Sequence, residues 1–390
     1  MVYRMTEWIE CTLDKLGEIV GGATPSTKCE DYYGGSIPWI TPKDLSSFKG
    51  RYITSGERNI TEKGLASCSA QMMPKDAVLF TSRAPIGYVA IASQSVCTNQ
   101  GFKSIVVNEK ADPLFVYYLL KYNKDAIEAM GSGTTFKEVS GKTMRAVKVR
   151  IPLDVSYQKR IAAVLDSLDT KIENNERIND NLQQQAAALF SSLYDRTNTE
   201  VRFTDLIQIL GGGTPKTGEN TYWNGNIAFF TPKDVGTPYT LITEKTITEE
   251  GLSHCNSRLY PVNTVFVTAR GTVGKVGMSG VPMAMNQSCY ALVGKETHQL
   301  LVYFYTLKAV DRLKHKASGA VFDAITTRDF ESEQIMKLSD DDAKAFLCIA
   351  EPMFQKVLNN CIENRRLSTL RDSLLPKLMS GEIDVSAVQL

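Results

Sequence analysis

Residues 21–44 read GGATPSTKCEDYYGGSIPWITPKD, and residues 211–234 read GGGTPKTGENTYWNGNIAFFTPKD. A long motif without a short internal period, written twice, marks a tandem duplication rather than a solenoid. The match extends on both sides of the quoted stretch. Leu16–Val20 aligns with Leu206–Leu210, and Thr61-Glu62-Lys63-Gly64-Leu65 with Thr248-Glu249-Glu250-Gly251-Leu252. Thr81–Gly87 aligns with Thr268–Gly274, and Thr98-Asn99-Gln100 with Met285-Asn286-Gln287. Ser132, Gly133 and Phe136 align with Ser318, Gly319 and Phe322, giving a repeated unit of about 190 residues.

Each unit has two parts. In the first, short apolar and β-branched runs are punctuated by Gly, Pro, Asn and Ser. Ala77–Phe80, Tyr88–Ile91 and Ser104–Val107 read as strands. Asp112-Pro113 opens a helix through Leu120, with Asp as cap and Pro in the first turn. In the second part, residues 155–194 hold neither Pro nor Gly. Ile161, Leu165, Leu168, Ile172, Asn175, Asn179, Leu182, Ala186, Leu189 and Leu193 alternate spacings of four and three, a heptad seam. About 40 helical residues would span roughly 60 Å. Ala350, Phe354, Val357, Cys361, Asn364, Leu367, Leu374 and Leu378 repeat the register, with Pro352 expected to kink the first turns. Asn175 and Asn364 occupy equivalent seam positions, where a buried Asn fixes register at a cost in stability.

The expected fold is therefore α+β: two tandem-duplicated α/β domains separated by two long helices that pair as an antiparallel coiled coil. The divisions fall at 1–152, 153–198, 199–338 and 339–390. The competing arrangement packs each helix only on its own domain.

Composition bounds the function. With 390 residues, 43% of them hydrophobic and 22% charged, the chain reads as an ordinary globular protein. No apolar run reaches membrane length, and the start MVYRMTEWIECTLDKLG lacks a signal-peptide core, so a cytoplasmic location is expected. The eight cysteines form no C-x-x-C pair and the three histidines are scattered, which points to free buried thiols rather than zinc. A net charge of +1 neither demands nor excludes a nucleic-acid partner.

Catalytic signatures are missing from the sequence. Gly274-Lys275 approaches a phosphate-binding loop, but Ala269 and Val276 stand where Gly and a hydroxyl are needed. Lys216 replaces the third Gly of a G-x-G-x-x-G begun at Gly211. No Pro-Pro occurs, so the Asn/Asp-Pro-Pro-aromatic loop of an adenine methyltransferase is absent. Asp169-Thr170-Lys171 and Asp342-Ala343-Lys344 spell D-x-K, but on helix, and read as solvated faces. The chain reads as a binding protein.

Polar and basic groups recur in the turns of both domains. Thr41 and Lys43 sit in one TPKD turn, Thr231 and Lys233 in the other. Arg83 and Arg270 each follow a strand, and an Arg fork suits guanine edges or phosphates. Asn99 and Asn286 could pair with adenine or close turns, and the sequence admits both. Lys142, Arg145, Lys148 and Arg150 form a basic strip suited to phosphates. The second copy is acidic there, with Asp329, Glu331 and Glu333. Gly21, Gly22, Thr24 and Pro25 read first as a turn. Tyr32, Tyr33 and Trp39, with Tyr222, Trp223, Phe229 and Phe230, read as core and loop anchors. Residues that read different bases should differ between copies, which favours 45–60 and 235–247.

These motifs together resemble the specificity subunit of type I restriction–modification systems over essentially the whole chain. The resemblance rests on GG-x-TP and W-x-TPKD with their second copies, on Thr81-Ser82-Arg83…Gly87, on residues 132–136, on the two long helices and on Leu374–Ile383. It implies two target recognition domains, each reading one half of a bipartite site in double-stranded DNA. It also implies a coiled coil that sets the spacer and docks two methyltransferase (modification) subunits, with restriction (translocase/nuclease) subunits joining that core. S-adenosylmethionine, ATP and magnesium would then belong to the partners, with no cofactor or metal in this chain. The residues alone leave two alternatives: a recognition module of another restriction–methylation type, and a coiled-coil scaffold that binds no DNA.

Overall fold

The computed structural model describes residues 7–133, 137–236, 238–316 and 324–388. Thr134–Phe136, Ser318, Gly319 and Phe322 of the repeat lie outside them. The chain divides into two compact units, Met1–Glu173 with Arg366–Leu390, and Asn174–Arg365. The division passes through both long helices, Val155–Tyr194 and Asp340–Ser380.

In the first unit a five-stranded sheet runs in the order Gly17–Gly21, Lys103–Val107, Val78–Ser82, Ile86–Ala92 and Tyr52–Ile53. Its neighbours are antiparallel except the last pair, which is parallel. A three-stranded sheet orders Arg58–Ile60, Tyr33–Ile40 and Cys97–Thr98, and Trp8–Thr12 pairs with Lys148–Pro152. The second unit repeats this topology strand for strand. Its five-stranded order is Ile207–Gly211, Cys289–Gly294, Val265–Thr268, Val276–Ser279 and Tyr239–Thr240. Its three-stranded order is Lys245–Ile247, Trp223–Phe230 and Met283–Met285, and Glu200–Arg202 pairs with Gln334–Met336.

The central strands Val78–Ser82 and Val265–Thr268 are buried throughout because both faces are covered, and successive side chains point to opposite faces. Val78 and Phe80 pack with Phe115, Val116 and Leu119 of the helix Pro113–Tyr122, while Leu79 joins Ile40, Leu45 and Phe102 on the other face. Val265 and Val267 against Phe266 repeat the split. The Asp112 carboxylate accepts from the Phe115 amide at 2.9 Å, and Pro113 fills the first turn, as the sequence indicates.

The seam appears as a buried and half-buried stripe. Ile161, Leu165, Asn175, Asn179, Ala186 and Leu193 are buried, as are Ala350, Phe354, Val357 and Leu378. Leu168, Ile172, Leu182, Leu189, Cys361, Asn364, Leu367 and Leu374 are half-buried. In each unit the two helices run antiparallel: Tyr157 meets Asp384, just past the second helix, and Asp169 meets Arg371 in the first, while Asn175 meets Asn364 and Asn179 meets Asn360 in the second. Each helix also packs on domain residues, but the helices pair as well, so the arrangement with each helix only on its own domain is not the one found. Pro352 removes one backbone donor but does not end the helix Asp340–Ser380. None of the eight cysteines is in a disulfide, but only Cys97 and Cys289 are buried, and burial pushes each thiol up to about 12.

The repeated GG has a steric origin. A Cβ on Gly22 would lie 2.0 Å from the Asn99 carbonyl oxygen, and one on Gly212 would lie 2.2 Å from that of Asn286. Gly21 and Gly211 face open space. Gly22→Ala and Gly212→Ala are therefore each expected to cost about 1–3 kcal/mol, and Gly21→Ala under ~0.5 kcal/mol. Unfolding midpoints of the three variants check the contrast, and equal midpoints would refute the steric account.

Candidate nucleic-acid interface

One carboxylate organises each TPKD turn, which starts the short helix Pro42–Ser46 in the first copy and remains a turn in the second. Asp44 Oδ2 accepts from the Thr41 amide at 2.7 Å and the Thr41 hydroxyl at 2.6 Å. Asp234 does the same with Thr231, at 2.8 and 2.6 Å. The other oxygen reaches forward: Asp44 Oδ1 accepts from the Glu57 amide, and Asp234 Oδ1 from the Glu244 amide, both at 2.7 Å. Each Asp thus clips together the two ends of the segment that differs between copies. In the first domain that segment walls an open groove of about 380 Å³, lined by Lys43, Phe48, Tyr52, Thr54 and Glu57 among others.

The remaining sequence candidates distribute as follows. Asn99 Oδ1 accepts from the Gly101 amide at 2.9 Å, and Asn286 Oδ1 from the Ser288 amide at 3.0 Å, so both close turns. Thr24 and Thr214 bond the neighbouring Gln100 and Gln287 side chains, tying the GG-x-TP turn to the same place. Trp39 Nε1 donates to the Ala23 carbonyl at 3.0 Å, and Tyr33 hydroxyl to that of Pro25 at 2.8 Å, so the aromatic anchors hold this loop. Lys43 and Lys233 are exposed and pair with Glu57 at 2.7 Å and Glu244 at 3.7 Å. Exposed pairs of this kind are weak enough to exchange for a phosphate. Arg83 lies 3.4 Å from Glu138, which also pairs with Lys103, while Arg270 is exposed at the matching position.

Within the basic strip, Lys142 and Arg145 are exposed on the helix Gly141–Ala146, and Lys148 and Arg150 on the strand that follows. Arg150 also holds the structure together, donating to the Ser380 carbonyl at 3.1 Å and stacking on Trp8. In the second copy Asp329 caps Thr326, and Glu333 is fully buried between Arg312 and Lys316.

One reading of the sequence is corrected. Asp169 does not lie on a solvated face. Its side chain is buried, with Oδ2 accepting from Tyr118 at 2.7 Å and Oδ1 from Arg371 at 2.6 Å. Burial and the adjacent Asp169 carboxylate push the Tyr118 phenol up, keeping it a donor. The pattern hides this because the partners come from distant segments. Counting along the matched helices, Tyr118, Asp169 and Arg371 correspond to Phe304, Leu358 and Leu182, all apolar and packed in the core of the second unit. The seam asparagines, in contrast, do pair: Asn175 Nδ2 donates to Asn364 Oδ1 at 2.8 Å, and Asn360 Nδ2 to Asn179 Oδ1 at 2.8 Å.

The duplicated topology and the paired helices can be set against known proteins. The type I restriction modification DNA specificity domain model matches residues 5–184 and 196–337. The chain belongs to this family. It is 31% identical over 97% of its length to the MjaIX specificity subunit of Methanocaldococcus jannaschii, of which 94% is covered. The HindI specificity subunit of Haemophilus influenzae is 23% identical, with 72% of this chain and 80% of that one covered. The crystal structure of a type I restriction-modification S subunit from M. genitalium shares the fold, with a TM-score of 0.63, 16% identity and 97% of both chains covered. The chain is accordingly a DNA specificity subunit with two target recognition domains, and the family is non-catalytic. Among the described residues no cluster of His, Cys, Asp and Glu fits a metal ion, and no helix is long and apolar enough to cross a membrane.

The buried triad yields a quantitative expectation for this family member. Asp169→Ala leaves Arg371 and Tyr118 without their shared carboxylate and should cost about 3–5 kcal/mol. Installing the second unit's residues together (Tyr118→Phe, Asp169→Leu, Arg371→Leu) should recover most of that loss. Thermal denaturation of both variants is the check, and a triple variant no better than the single one contradicts it.

Proposed function

We propose that each target recognition domain reads one half of a bipartite site in double-stranded DNA, and that the two long helices set the spacer and carry two modification subunits. The observation that supports this most is the repetition of one topology, strand for strand, in a chain of the specificity family. Shared residues build turns, whereas 45–60 and 235–247 carry the differences that two unlike half-sites require. Lys43, Arg83, Lys142 and Arg145 in the first domain, and Lys233 and Arg270 in the second, supply phosphate and base-edge contacts. Thr41, Thr231, Asn99 and Asn286 shape the loops from which these reach. Affinity then falls with rising salt as phosphate-bound counterions are displaced.

Restriction subunits join the same core, in the cytoplasm where the DNA is. S-adenosylmethionine, ATP and magnesium are used by the partner subunits, and the chemistry of modification and cleavage is theirs. The regions 1–152 and 199–338 act as readers, and 153–198 and 339–390 as the conserved helical segments.

Co-expression with the modification subunits, followed by sequencing of modified adenines, should give a split motif with a fixed gap. Removing one heptad from 155–194 and its antiparallel counterpart should change the gap and leave both half-motifs intact. An unchanged gap removes the helices as ruler. Arg83→Ala should weaken modification through one half only, and equal loss in both halves removes Arg83 from the readers.

A further inference from the structure

Arg51 stands inside the variable segment 45–60 and is 6% exposed. It follows the groove residues Ser47 and Phe48 and precedes Tyr52–Glu57, which line the same groove. Its backbone belongs to the sheet, since the Arg51 carbonyl accepts from the Ile91 amide at 2.7 Å. Its side chain leaves the domain's own fold and grips the first long helix within the first unit. Nε lies 3.3 Å from Asp166 Oδ1, and one terminal nitrogen donates to the Asp166 carbonyl at 3.2 Å. The other donates to Thr170 Oγ1 at 2.9 Å and Glu173 Oε2 at 3.1 Å, and Asp169 Oδ2 lies 4.0 Å from the guanidinium. A planar guanidinium sharing out its donors over two helical turns fixes both position and orientation, which a Lys ammonium would do less well.

Among the described residues the second domain shows no such grip. The matching residue is Pro238, whose carbonyl accepts from the Met278 amide at 2.7 Å just as that of Arg51 accepts from Ile91. Its variable segment is held by hydrogen bonds within its own domain and by apolar packing, since Tyr239 shares a buried cluster with Phe354 and Val357 of the second long helix. Thr240 Oγ1 accepts from the Gly236 amide at 2.8 Å and donates to the Asp234 carbonyl at 2.9 Å. Tyr239 hydroxyl donates to Asn263 at 3.0 Å.

We propose that Arg51 is a positioning residue for recognition of one half-site: it holds the groove formed by residues 43–57 in a fixed setting on the first long helix. The proposal rests on the reading that the domains recognise DNA. It makes the two readers mechanically unlike, one fixed to its helix by a directional guanidinium and one by apolar packing and internal hydrogen bonds. Loosening the brace leaves the groove residues present but misplaced, which lowers discrimination rather than removing a contact.

The test uses the full chain with its modification subunits. Arg51→Met should make one half of the modified motif degenerate, with about tenfold or greater loss at the cognate half-site, and leave the other half unchanged. Arg51→Lys should restore part of the discrimination. Asp166→Asn with Glu173→Gln removes two helix partners while sparing Asp169, Tyr118 and Arg371, and should reproduce the one-sided degeneracy if Arg51→Met folds poorly. Hydrogen exchange of residues 46–57 should accelerate in Arg51→Met even without DNA. An unchanged motif, equal loss in both halves, or unchanged exchange overturns the proposal. Absence of any split motif with the unaltered chain defeats the DNA-reading assignment instead, and the exchange measurement still decides whether the brace exists.

Discussion

Neither long helix can bury its apolar stripe alone. Val155–Tyr194 and Asp340–Ser380 carry long polar surfaces, and isolated helices in water gain little from propensity. Each finds its partner far along the sequence, and a complete recognition domain lies between them. The antiparallel pairing therefore determines how the rest of the chain is organised. The domains must emerge where the helices allow, and they in turn supply side chains that finish the helix surfaces.

The two units solve the same packing problem with different chemistry. In the second, Phe190, Phe304 and Phe346 stack and cross with ring centroids 5.0–5.4 Å apart, a water-free arrangement that tolerates small adjustments. In the first, Tyr118 stands where Phe304 does and joins Asp169 and Arg371 in directional, charge-assisted bonds. A buried ion cluster adds less stability than an apolar core, because its desolvation offsets most of its attraction. What it adds is geometric exclusivity. Arg51 extends this cluster toward the groove, so the polar solution coincides with the place where a recognition domain is held to its helix.

Much of this is legible in the sequence, for physical reasons that differ by element. The duplication and the heptad seam are patterns of residue type at fixed spacing, and those survive any tertiary detail. Asp112-Pro113 announces a helix because capping is local. Asp169 reads wrongly because a polar residue on a helix looks solvated until its partners are known, and these lie at Tyr118, Arg371 and Arg51. The turn role of Asn99 is local, a bond to an amide two residues on. Arg51 offers no signal, because a single Arg in a variable segment looks like any surface charge.

Asp44 and Asp234 each close a loop of different content. The first spans 13 residues to Glu57 and the second 10 to Glu244, yet both end on the same carboxylate geometry. Loop-closure entropy grows only slowly with length, so adding or removing a few residues there costs little. A segment clipped at both ends by one shared acid is an exchangeable cassette. New sequence can be inserted on either side of the edge strand that each segment gives to its sheet, Tyr52–Ile53 in one domain and Tyr239–Thr240 in the other. Under the proposed reading, a defence protein facing changing invaders would acquire a new target by replacing residues around that strand, while the shared turns and the long helices stay in place.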